Sequence, residues 1–164
     1  MDYSFILYGQ PATKKNSAIM ARGRSLILPS KAYKVYEQEC RVQLANLQQQ
    51  HEVPHFNTGV SIEARYYLKD MAHYPDLVGL MQATADIISD QTKNVMGKKT
   101  VIREWILSDD RIIKDWNGTR IVAIDKRSPR VEIRITALPL DPATETDPQI
   151  LKMIQEQTQT KLFT

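Results

Sequence analysis

Between residues 60 and 88 the hydrophobic pattern of this chain changes period once, and sharply. Val60, Ile62, Ala64, Tyr66 and Leu68 alternate with Ser61, Glu63, Arg65, Tyr67 and Lys69. A period of two buries one face of a strand and leaves the other wet. Pro75 favours an extended residue before it, and the Asp76 carboxylate suits the amides that open a helix. Beyond them Leu77, Leu80, Met81, Thr84, Ile87 and Ile88 recur at helical spacing, with Gly79, Gln82 and Asp86 on the opposite face. A half-buried strand and a one-sided helix each need a partner layer, so an α+β domain is expected.

The flanking sequence extends this pattern. A strand is expected over residues 3–8, closed by Gly9 and Pro11, and a second over 25–28, ended by Pro29. Ser30 then caps a helix over 31–50, with Tyr33, Tyr36, Cys40 and Leu44 on its buried face. Asn117-Gly118 is a hairpin signal and Ser128-Pro129 a second turn. Val131, Ile133 and Ile135 alternate with Glu132, Arg134 and Thr136 as a closing strand. The expected architecture is one domain, residues 1–138, with a mixed or antiparallel sheet packed against two main helices. Residues 139–164 form an acidic linker holding Pro139, Pro142 and Pro148, then a peripheral helix.

Bulk properties narrow the function classes. A chain of 164 residues is one domain, and its net charge of +3 permits nucleic acid without demanding it. The single cysteine, Cys40, excludes a disulfide within the chain and is expected to be a packed thiol. No apolar run approaches the ~20 residues of a membrane span, and the start lacks a signal pattern. A soluble cytosolic protein without a membrane partner is expected.

Oxygen-rich and basic clusters carry the candidate chemistry. Asp76 and the pair Asp109-Asp110 are the kind of ligand that a hard cation such as Mg²⁺ takes, one or two carboxylates beside a phosphate. As bare residues, Asp76 reads equally as a helix cap and Asp109-Asp110 as a polar turn. Asp86 lies ten residues beyond Asp76, roughly 15 Å along a helix at ~1.5 Å per residue. The two therefore should not share an ion, and Asp86 is assigned to the polar face, supporting the ligands. Lys14, Lys15, Arg22 and Arg24, with Asn16, Ser17 and Gly23, form a basic segment suited to phosphate rather than to bases. A second basic stretch, QTKNVMGKKTVIRE, holds Lys93, Lys98, Lys99 and Arg103 around Gly97. It reads as a loop that clamps a DNA backbone or as a solvated excursion. His51, His55 and His73 make no zinc pattern with one cysteine. Trp105 and Trp116 read as core or interface anchors.

Four segments in order, GQPATKKNSAIMARG, LPSKAYKVYEQE, PDLVGLMQATADIISD and SDDRIIKDWNGTRIVAIDKRSPRVEIRI, cover most of residues 4–136. In this order they resemble the RusA-like Holliday junction resolvases, the crossover junction endodeoxyribonucleases of bacteria and their phages. The resemblance implies a homodimeric endonuclease in the host cytosol, phage or prophage encoded. It would need Mg²⁺, with Mn²⁺ as substitute, and would resolve branched DNA by paired nicks. It implies metal on Asp76 and Asp110 with Asp109 assisting, and DNA on Lys14, Lys15, Asn16, Arg22, Arg24, Lys98 and Lys99. Asp86, Gln82 and Asp70 would support the site.

The chain also departs from that family. Its usual helix start is Asp-Leu-Asp-Asn-Leu, with a lysine four residues after the second aspartate. Here the positions read Asp76, Leu77, Val78, Gly79 and Leu80, with Gln82 in place of the lysine. One carboxylate and one cation are missing, and Asp70 and Glu63 are candidate substitutes. The separation between Asp86 and Asp109 also exceeds the family's usual one. Two alternatives follow: a junction-binding protein with weak or no nuclease activity, and a phage adaptor reusing the fold.

Overall fold

The computed structural model describes residues 1–14, 16–21, 24–72 and 74–162, with the segments 16–21 and 24–29 described by their backbone. The elements follow in chain order. Strand β1 (Asp2–Tyr8) precedes β2 (Asn16–Ala21) and β3 (Arg24–Pro29). Helix α1 (Lys31–Gln50) leads to β4 (Val60–Leu68) and α2 (Leu77–Ile88). Strands β5 (Gln91–Val95) and β6 (Lys98–Arg103) come next, then a 3-10 turn at Asp110–Ile112. The chain closes with β7 (Ile113–Asp115), β8 (Arg120–Ile124), β9 (Arg130–Ala137) and α3 (Pro148–Leu162). Among the described residues the protein is a single α+β domain with three α-helices and a mixed sheet.

Antiparallel pairing sets the order β1-β9-β4, and β7 and β8 share the other edge of β4, both parallel to it. Register explains the core. Ile62 faces Ile135, Ala64 faces Ile133 and Tyr66 faces Val131, while Phe5 and Leu7 extend the same rows from β1. All are buried, and α1 and α2 cover them with Tyr33, Tyr36, Cys40, Leu44, Leu80, Ile87 and Ile88. Each such side chain contributes about 1.5–3 kcal/mol on leaving water. Burial pushes the Cys40 thiol up to about 12, so it is a packed and unreactive group. The Tyr66 hydroxyl and Thr84 Oγ1, 2.7 Å apart, satisfy each other between sheet and α2.

Two expectations change. Asn117-Gly118 is a turn, with Gly118 at φ 80°, yet β7 and β8 are not a hairpin, because both run in the direction of β4. Here the chain leaves the edge of β4 and rejoins it. The Thr119 hydroxyl spans the gap, accepting from the Ala64 amide at 3.0 Å and donating to the Ile62 carbonyl at 3.3 Å. The stretch expected as a basic loop is the two-stranded hairpin β5–β6. Its two-residue turn, Met96-Gly97, has positive φ at both positions. Asparagine, the usual first residue of such a turn, is absent, so the pattern did not announce it.

α3 is tied down at its start. Ile150 joins the core, Asp147 is 7 % exposed, and Asp147 pairs with Arg111 at 2.7 Å. Among the described residues no helix is long and apolar enough to cross a membrane.

Candidate functional site

The two ends of α2 present different chemistry. At its start Asp76 caps the helix, accepting from the Gly79 amide at 2.8 Å. A Cβ on residue 79 would meet the Asp76 carboxylate oxygens at 2.9 and 3.0 Å and Thr13 Cγ2 at 3.0 Å. Glycine therefore lets the cap and the Thr13 segment close on the helix. Asp70 lies beside this end, on a groove of about 360 Å³ that Gln10, Thr13, Ser30, Lys69 and Pro75 also line. Val78 is 72 % exposed and Gln82 is exposed, so the two positions that depart from the family pattern face solvent.

Roughly 15 Å away, at ~1.5 Å per helical residue, Asp86 begins a denser group. Lys14 Nζ reaches Asp86 Oδ2 at 2.7 Å and lies 5.4 Å from the centre of the Tyr33 ring. The segment ending at Lys14 thus runs along the polar face of α2, from Gly79 to Asp86. The Tyr33 hydroxyl donates to Glu37, which holds Arg41, and Arg41 donates to the Asp86 carbonyl at 3.4 Å. Neither Glu37 nor Arg41 was singled out from sequence; their only signal is the i, i+4 spacing of Tyr33, Glu37 and Arg41 on α1.

Asp109 and Asp110 arrive at the same end through main-chain pairing. Ile106 and Leu107 both donate to the Ile88 carbonyl at 3.0 Å, and Ser108 donates to Phe56 at 2.9 Å. This track pins the chain beside the end of α2, however long the excursion before it. Asp109 then caps the 3-10 turn through the Arg111 amide and takes the Lys99 ammonium at 2.7 Å. Burial pushes the Asp109 carboxyl up, but Lys99, the Arg111 amide and the Asp110 carboxyl outweigh it and hold it at about 2. Asp110 moves the opposite way. It is raised by its hydrogen bond to Asp109, by burial, and by the charges of Asp109 and Asp86. The hydrogen bond from its neighbour and the nearby like charges make the Asp110 carboxyl easier to protonate than a free one, as happens where carboxylates crowd a functional site.

The structure therefore sets Asp110 beside Asp109 and within electrostatic reach of Asp86, with Lys14 on Asp86 and Lys99 on Asp109. It places Asp76 at the far end of the helix. Lys98 is exposed on the hairpin. Glu63 lies on the outer face of β4 and pairs with Arg65 at 2.9 Å, opposite the face that packs on α2. Lys15 and Arg22 lie outside the described residues, as does His73; Asn16 and Arg24 fall in backbone-only strands. Among the described residues no three His, Cys, Asp or Glu side chains form a ready-made metal cage. No family model matches the chain, and no curated protein matches it.

Proposed function

We propose that this protein is a Mg²⁺-dependent endonuclease of branched DNA, a RusA-like junction resolvase acting as a homodimer. The observation that carries this reading is the Asp109-Asp110 pair set near Asp86, with Lys14 paired to Asp86 and Lys99 to Asp109 at 2.7 Å each; this crowding also raises the Asp110 carboxyl. Asp110 and Asp86 would hold the cation, with Asp109 beside them. All are oxygen donors, and a hard cation needs only one or two carboxylates when phosphate completes its shell. When bound, that cation polarises a phosphoryl oxygen and makes water a stronger nucleophile.

The chain's own residues do the rest. Asp110 would serve as a ligand in its ionised form, beside Asp109, which its neighbours hold ionised. Lys14 would neutralise a phosphate oxygen beside Asp86, while Lys99 keeps its pair with Asp109 and holds the hairpin next to the site. Asp76 remains a cap, so the loss of a carboxylate at Val78 falls outside the working group. A two-fold axis would set one such group on each of two symmetry-related strands, which suits paired nicks.

A labelled four-way junction and a linear duplex, each incubated with and without Mg²⁺, test this. Symmetric nicks in the junction, with the duplex largely intact, are expected. Junction binding without nicks would favour the binding-only alternative. Equal cutting of both substrates would leave a generic nuclease.

A further inference from the structure

We infer that the β5–β6 hairpin is a branch-point wedge, with Met96 entering between unstacked bases and the flanking lysines gripping the phosphates. The inference rests on the reading of the chain as an enzyme of branched DNA. Residues 91–103 carry four cations, Lys93, Lys98, Lys99 and Arg103, and no carboxylate. The hairpin forms its own two-stranded sheet, separate from the main one. A five-residue strand at ~3.4 Å per residue gives it a reach of roughly 17 Å, and a two-stranded ribbon is a shape that DNA grooves admit.

The tip is the unusual part. Met96 is 98 % exposed, and Val95, Val101 and Ile102 are also exposed. Ile102 is the extra residue of a bulge between the pairs Thr92–Val101 and Gln91–Arg103. An apolar residue on a left-handed turn, surrounded by lysines, gains nothing from water. It does fit the role of methionine and similar side chains that enter base steps. Among the described residues neither Lys93 nor Lys98 is ion-paired, so both are free to meet phosphate.

The root is braced as a wedge requires. Arg103 stacks over the Trp105 ring at 4.5 Å and donates to Gln48 of α1 at 2.8 Å. Trp105 donates from its indole to Gln91 at 3.1 Å and from its backbone to Asp90 at 2.7 Å. Lys99 ties one flank to Asp109. A ribbon fixed in this way delivers its tip at a set distance from the acidic group. At a branch point the strands exchange and the duplexes are interrupted, so a wedge has fewer continuous base steps to open than in linear duplex, where each costs a few kcal/mol. The wedge therefore favours branched over linear DNA.

The test uses the full chain in Ca²⁺, with 2-aminopurine at the branch of a four-way junction, and Mg²⁺ nicking as a parallel arm. Wild type should raise the 2-aminopurine fluorescence. Met96→Ala should lose most of that rise and about tenfold of the preference for junction over duplex, on the scale of one lost base contact. Lys93→Glu with Lys98→Glu should lower the slope of log affinity against log salt by about 2, one unit for each lost phosphate. Melting curves should match wild type, since all three side chains are exposed. Wild-type fluorescence, preference and salt slope in both variants would overturn the wedge even where Mg²⁺ nicking proceeds. A hairpin-dependent preference without nicking would support the wedge and overturn the nuclease reading.

Discussion

Asp76 and Asp86 are the same residue type on the same helix, and their surroundings give them different work. Asp76 has one backbone amide to accept from, and Asp86 has an ammonium and a neighbouring carboxyl. A serine can replace a capping aspartate but cannot replace a metal ligand. Asp76→Ser should therefore keep both melting temperature and nicking. Asp76→Ala should lose about 0.5–2 kcal/mol of stability, the usual worth of a cap, while still cutting. If Asp76→Ser melts like wild type yet no longer nicks, the carboxylate has a chemical role and the metal belongs at the start of α2. Distance along the helix is what sequence spacing conveyed, and it already separated these two acids. It did not convey which of them Asp110 would meet, because that depends on the main-chain track of residues 104–108.

At the scale of elements, period and capping residues described most of the fold. Strand β4, both main helices and β9 lie where the alternation and the Asp76 and Ser30 caps placed them. Turn chemistry was less informative. Asn117-Gly118 had the residues of a hairpin, but the direction of β8 is set by pairing with β4, which a local pattern cannot express. Met96-Gly97 lacked those residues and is a hairpin nonetheless, held by Trp105 at its root. The joint between sheet and α2 gives a stability prediction. Thr84→Val keeps the volume but leaves the Tyr66 hydroxyl, on a fully buried ring, without its partner. A loss of about 1–3 kcal/mol is expected in denaturant unfolding, the cost of an unsatisfied buried group. A variant as stable as wild type would mean that water reaches this joint.

In the whole molecule Asp86, Asp109, Asp110 and two lysines come towards one end of α2, and we propose that Asp110 and Asp86 receive a cation there. Asp86 comes from a helix, Asp109 and Asp110 from a 3-10 turn, Lys14 from the segment after β1, and Lys99 from the hairpin. Sequence order separates these groups widely; residue type and the resemblance pointed towards Asp110, but nothing local pointed towards the meeting with Asp86. Binding of Mn²⁺ followed by its electron paramagnetic resonance signal, across a pH series, tests the claim directly. Asp110 is raised above its ordinary value, so protons compete for it as pH falls through that raised value, and affinity should drop there while Asp109, held at about 2, stays ionised. Asp110→Asn should weaken binding about tenfold or more at neutral pH, as loss of a metal-site group does, and should flatten the pH dependence. Unchanged Mn²⁺ affinity and pH profile in Asp110→Asn, with the fold intact, would contradict the account.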